Sequence, residues 1–156
     1  MDEENNKLTP KTVLFLCTGN YYRSRFAEFY FNVLAEARKL SWRAESRGLQ
    51  LHPDNPGPIS RQTVAWLQDL KVNLPASHRD PIQVCESDLE AAHLVVAVKE
   101  AEHHTLLEQH FPAWADRVEY WHIDDLDCAT PQEALPKLME KIEHLASSMI
   151  SRRDDG

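Results

Sequence analysis

Cysteine is scarce in this chain: three among 156 residues, at Cys17, Cys85 and Cys128. Their spacing fits no zinc motif. An odd number with no secretory leader points to free thiols in a reducing compartment, the cytoplasm. Long apolar runs are missing too, and none approaches the ~18 residues a membrane-spanning helix needs, so no membrane is expected as a partner. Positive charge is in deficit, with 17 Lys and Arg against 25 Asp and Glu and a formal net charge of −8. A phosphate backbone wants a basic surface, so no nucleic-acid partner is expected; one small, locally basic pocket is still compatible with this balance. The eight histidines include no His-x-x-x-His pair with a nearby acid. Adjacent His103 and His104 point in different directions on a helix, so neither a metal nor a cofactor is expected.

What is present is an alternation of strand-like and helix-like runs, the pattern of a parallel sheet flanked by helices. Thr12 to Leu16 reads as the first strand. A helix follows from Ser24 to Lys39, with Phe26, Phe29, Tyr30, Val33 and Leu34 at core-facing spacing. Trp42 to Glu45 reads as a second strand. The proline-rich "LHPDNPGPIS" leads to a helix over Arg61 to Leu70, capped by Ser60. A short helix capped by Ser87, a buried strand "HLVVAV" and a further helix come next. "RVEYWHI" reads as the fourth strand, and a last helix runs from Glu133 to Ile150. The expected fold is α/β: one three-layer domain over residues 11–150, with an open four-stranded parallel sheet covered by helices on both faces. Residues 1–10 and 151–156 read as disordered tails. In such sheets ligands bind at the carboxyl ends of the strands.

The stretch "VLFLCTGNYYRSRFAEFYF" puts a thiol at that end of the first strand and a guanidinium at the start of the next helix. A strand-to-helix turn leaves several backbone N–H groups without internal partners, and the helix dipole adds positive potential. Thr18, Gly19, Asn20, Tyr21, Tyr22, Arg23 and Ser24 can therefore cradle a phosphate-type anion. Gly19 and Asn20 tolerate the left-handed backbone that lets amides converge. Arg23 offers a planar fork to two oxygens, and Cys17 at the floor is favoured as a thiolate by the same groups. A thiolate under a bound phosphoryl group is an in-line nucleophile, with Ser24 placed to hydrogen-bond the sulfur. The plainer reading is that Cys17 is a small buried hydrophobe at a strand end; the flanking strand, Gly-Asn, Ser and amphipathic helix favour the anion loop.

These residues resemble the low-molecular-weight protein tyrosine phosphatases, whose signature Cys-x-Gly-Asn-x-x-Arg-Ser is matched at Cys17, Gly19, Asn20, Arg23 and Ser24, with Ala27 and Glu28 following. The similarity extends at low level over about residues 11–148. It implies a phosphate-monoester hydrolase of the protein tyrosine phosphatase type, acting through a phosphocysteine on a phosphorylated protein or small aryl phosphate, as a monomer or weak dimer. It also implies that Asn20, Ser46 and His78 brace the loop, and that the general acid sits in "WHIDDL" on Asp125. Asp127 competes for that role, and "DDLD" also reads as a plain solvated acidic turn.

Several positions depart from the family pattern. Leu126 stands where proline is expected, Arg25 where proline often follows the serine, and Lys99, read as a surface residue, where acids are typical. The aromatic residues that wall the substrate slot are missing from "DCATPQ"; Tyr21, Tyr22, Trp42 and Leu49 are the candidates to replace them. A catalytically weak phospho-ligand binder is one alternative. A thiol-dependent arsenate reductase is another, though its relay cysteines after the third strand are absent. Tyr22 also replaces the second loop cysteine usual in the family. Oxidised Cys17 should therefore carry a sulfenic acid with no neighbouring resolving thiol. Mass spectrometry of peroxide-treated protein checks this; a Cys17 disulfide within one chain would contradict it.

Overall fold

The computed structural model describes residues 9–125 and 129–155, with side chains as far as Met149. Four strands form one parallel sheet in the order β2-β1-β3-β4: β1 (Lys11–Cys17), β2 (Trp42–Gly48), β3 (Leu94–Ala97) and β4 (Glu119–Tyr120). The helices are α1 (Arg23–Ala37), α2 (Arg61–Asp69), α3 (Glu86–Ala91), α4 (Glu100–His110) and α5 (Pro131–Asp155). The three-layer α/β arrangement expected from the alternation is the one adopted.

Period-two alternation along β1 builds both cores. Val13, Phe15 and Cys17 face one way, joining Phe26, Tyr30 and Phe31 of α1, Leu67 of α2 and Leu135, Leu138 and Ile142 of α5. Leu14 and Leu16 face the other way, against Leu89 of α3 and Leu107 of α4. Because strand side chains point to opposite faces in turn, a run apolar at every position marks a strand buried on both sides.

Some boundaries and faces differ from the sequence reading. The buried stripe of α1 is Phe26, Ala27, Tyr30, Phe31 and Ala35, whereas Val33 is exposed; the stripe lies one position round from the set chosen by spacing alone. Ser60 caps α2 as expected, accepting from the amides of Gln62 and Thr63. Ser87 does not cap α3: the cap is Cys85, whose amide donates to Asp88 Oδ2 at 3.1 Å. The last helix continues to Asp155, through residues read as tail. The fourth strand shrinks to Glu119–Tyr120, yet the chain stays on β3: the Trp121 amide donates to Ala97 O and the Ile123 amide to Val98 O.

Chain order decides where the site lies. From β1 the chain crosses to β2 on one side, then returns past β1 to β3 on the other. The segments leaving β1 and β3 therefore diverge to opposite faces and open a crevice between them, the switch point where such sheets bind ligands. Gly48, opposite Cys17 in register, borders this point. A Cβ on Gly48 would lie 2.8 Å from the backbone oxygen of Thr18 and 3.1 Å from Cβ of Asn20. Gly48→Ala should thus force the loop after β1 outward, costing about 1–3 kcal/mol by overpacking. Denaturant unfolding checks the stability loss; unchanged stability would mean that the loop yields freely.

Candidate active site

The loop from Cys17 to Arg23 is shaped by amides with nothing local to bond. Among the described residues, no backbone carbonyl accepts from the amides of Thr18 to Arg25; the first to bond back is that of Phe26, to Tyr22 O at 3.0 Å. A run of such donors at a helix N-terminus is an arrangement that can receive an anion. Asn20 takes φ = 52°, the left-handed conformation its short amide side chain tolerates. Gly19 keeps an ordinary φ, so its missing side chain serves closeness instead: a Cβ there would meet the His52 ring at 3.2 Å.

Cys17 lies buried beneath the loop with Sγ 2.9 Å from Ser24 Oγ. Asn20 Nδ2 donates to Ser24 Oγ and to Ser46 Oγ, each at 2.9 Å. Ser46 in turn donates to Glu28. The third brace expected from the sequence was His78, and the structure puts Arg79 there instead. Arg79 donates to Asn20 Oδ1 at 3.0 Å, to Ser46 O and Oγ at 3.1 Å each, and to Glu28 at 3.3 Å. His78 turns edge-on to Phe29, and its Nδ1 is buried without a hydrogen-bond partner. Burial and the Arg25 charge push His78 below its ordinary pKa, toward the neutral ring. A fixed cation with several donors suits a carboxylate-and-carbonyl cluster better than a neutral ring does.

Arg25, the family departure, is fully buried. It donates to Pro58 O and to Arg79 O at 3.1 Å each and lies over the Phe29 ring. Burial pulls its pKa down to about 10. It therefore holds the proline-rich loop and the Arg79 segment together. Tyr21 adds a rim contact, its hydroxyl donating to Pro56 O at 2.6 Å. Tyr22 points inward; its buried hydroxyl has no partner, and desolvation, with Asp125 adding to it, pushes it up to about 12. The other two rim candidates lie elsewhere. Leu49 is in the core under the sheet. Trp42 pairs with Lys11 at the amino end of the sheet, against His93.

Arg23, at the end of the loop and 1% exposed, reaches across the crevice. Its Nη1 donates to Ile123 O at 2.9 Å, and Nη2 lies 3.1 Å from Glu102 Oε1 and 3.4 Å from Asp125 Oδ2. The Nε–H is buried with no partner. Asp125 thus faces the loop, while neighbouring Asp124 turns away to Lys99 Nζ at 2.7 Å, which holds its carboxyl below the usual range. Lys99 is not a surface residue: its side chain is 19% exposed and is paired with Asp124. Asp127, Leu126 and Cys128 lie outside the described residues.

Glu102 and His103 were missed. The Thr18 hydroxyl donates to Glu102 Oε1, and His103 Nε2 is 3.1 Å from Thr18 Oγ1. The available signal was topological: residues just after β3 must face the loop after β1 at the switch point. Among the described residues, no three His, Cys, Asp or Glu side chains converge as metal ligands, and no helix is long and apolar enough to cross a membrane.

A thiol under an amide-lined anion loop, with a buried arginine closing it, defines a cysteine-based phosphatase scaffold. The chain belongs to the low molecular weight phosphotyrosine protein phosphatase family, whose model matches residues 12–152. A low molecular weight protein tyrosine phosphatase from T. tengcongensis superposes with a TM-score of 0.71 at 28% identity, over 91% of this chain and 99% of that one. An arginine phosphatase from Geobacillus stearothermophilus shares the fold, with a TM-score of 0.74 at 22% identity over 94% and 97% of the two chains. An arsenate reductase of Bacillus cereus (strain G9842) is 30% identical over 115 residues, 74% of this chain and 76% of that protein.

Replacing Arg79 by Ala removes several hydrogen bonds from the bracing cluster and leaves Glu28 without its cation. Arg79→Ala should cost about 1–3 kcal/mol and weaken phosphate binding, with His78→Ala close to neutral. Unfolding curves and phosphate titrations decide the order; the reverse order would return the bracing role to His78.

Proposed function

We propose that this protein hydrolyses phosphate monoesters through a phosphocysteine, in the manner of a protein tyrosine phosphatase. The observation that carries the reading is the alignment of Cys17 Sγ and Ser24 Oγ, 2.9 Å apart, beneath amides and an Arg23 Nε–H that lack partners. A buried donor with nothing to bond calls for a ligand.

In the proposed reaction the Cys17 thiolate attacks phosphorus in line, and the ester P–O bond breaks as the S–P bond forms. The amides of residues 18–24 and the Arg23 guanidinium stabilise the charge on the equatorial oxygens. Asp125 gives its proton to the leaving oxygen. As a carboxylate it then takes a proton from water, which attacks phosphorus and releases inorganic phosphate. The sulfur leaves as a thiolate that accepts the Ser24 hydroxyl. Arg23 Nη2 lies 3.4 Å from Asp125 Oδ2, which keeps the acid on the loop side of the crevice.

Phosphotyrosine is the proposed substrate class, with Tyr21, His52 and Asn55 walling the slot where the sequence lacks the family aromatics. His52 and Asn55 both lie close to Gly19, and Tyr21 is anchored to Pro56. Arsenate reduction is the reading suggested by the similar reductase, but it needs relay thiols. Among the described residues, the other free cysteine besides Cys17 is the exposed Cys85, which lies before β3 at the cap of α3 and not after β3.

Hydrolysis of an aryl phosphate is expected from the intact protein, with none from Cys17→Ser. Asp125→Asn should lose on the order of 10²–10⁴ in rate. The rate should peak at acidic to near-neutral pH, since thiolate and protonated carboxyl must coexist. An intact protein no faster than Cys17→Ser would leave a phospho-ligand binder; a rate rising steadily through high pH would remove the carboxylic acid from the mechanism.

A further inference from the structure

The hydrolytic scheme leaves one charged group of the site unused. Glu102 lies in the first turn of α4, directly across the switch-point crevice from the Cys17 loop. Its Oε1 accepts from the Thr18 hydroxyl and from Arg23 Nη2 at 3.1 Å, and Oε2 lies 3.5 Å from Arg23 Nη1. Behind it, fully buried His103 has a defined tautomer. The Lys99 amide donates to its Nδ1 at 3.1 Å, so the proton is on Nε2. That Nε2 faces Thr18 Oγ1 at 3.1 Å and Glu102 Oε1 at 3.3 Å.

A carboxylate offers a guanidinium the same two-oxygen edge that a phosphoryl group offers. Arg23 meets that edge with both terminal nitrogens, and Nη1 is further committed to Ile123 O. Only Nε–H remains without a partner. A phosphoryl group seeking the usual two-point grip must therefore share or take over Nη2 from Glu102.

We propose that Glu102 is an internal competitor for Arg23: its carboxylate holds the guanidinium while the loop is empty, and a phosphoryl group binds by displacing it. Glu102 thereby sets how tightly this site takes oxyanions. Acid does not release the contact in the working range, because the His103 N–H, the Arg23 charge and the Thr18 hydroxyl hold Glu102 well below the usual carboxylate range. Displacement falls to the incoming anion, which must also sit beside a carboxylate that stays charged. The inference rests on the phosphate-loop reading above.

The opposite role, Glu102 as a positioning residue that aims Arg23 at the phosphoryl group, predicts an effect of opposite sign. Glu102 is 31% exposed, so Glu102→Gln and Glu102→Ala should both fold. Inorganic phosphate titrated calorimetrically into the full chain and the two variants separates the roles. Competition predicts binding about tenfold tighter in both variants, the ratio worth one modest charge-assisted hydrogen bond. It also predicts a lower KM for an aryl phosphate with kcat not raised. Equal or weaker phosphate binding in both variants overturns the competitor. If the unaltered protein binds phosphate in that outcome, the anion-loop reading stands. Failure of all three proteins to bind phosphate removes the loop reading and the competitor together.

Discussion

The Asn20 side chain uses every hydrogen-bonding position it has, and the site depends on that saturation. Its two N–H bonds go to Ser24 and Ser46, and its oxygen accepts from Arg79 and from the Ile82 amide. Two donors and two lone pairs are all an amide side chain offers. Through them one residue joins the start of α1, the middle of β2 and the segment entering α3, while its own backbone sits at φ = 52°. A left-handed residue away from glycine persists only where the surroundings over-determine it, and here four bonds do so. The clamp fixes the Asn20 backbone at the centre of the loop whose amides, among the described residues, have no carbonyl partner.

The opposite side of the loop is held by charge. Thr18 is tied to Glu102 and His103, and Arg23 to Glu102, Asp125 and the Ile123 carbonyl. On the first side Asn20 is fully hydrogen-bonded, and the Arg79 charge is paired with Glu28. The second gathers two carboxylates, Glu102 and Asp125, on one guanidinium. The β2 side of the site is thus held by an amide-centred hydrogen-bond cluster and the β3 side by ion pairs to Arg23.

How much of this was legible in the sequence follows from the range of the forces involved. The apolar strand runs directly into the eight residues Cys17 to Ser24, which hold the thiol, Asn20, Arg23 and Ser24 and obey local rules of turn and helix N-terminus, so pattern exposed them. Ser46 followed from resemblance, and Gly48 stands beside it. Arg79 did not, because a side chain's partner is set by tertiary approach: His78 and Arg79 are neighbours in sequence, and only the fold decides which one enters the cluster. Lys99 failed for a similar reason, since its partner Asp124 is distant in sequence and adjacent only through the pairing of β3 with the chain after β4. Glu102 is one of three glutamates in α4, and nothing in the local sequence singles it out. Tyr22, a candidate wall residue by sequence, is buried in the core, which only the fold could decide.

The proline-rich stretch after β2 reaches the rim through contacts separate from the thiol and the acid. Its Pro56 carbonyl is held by Tyr21, its Pro58 carbonyl by buried Arg25, and His52 leans on Gly19. Such a border can vary in width and polarity at residues 52–57 while the reacting groups stay put. Selection could therefore exchange one clientele for another by editing that hem alone, and kin with a common reaction centre need share no appetite.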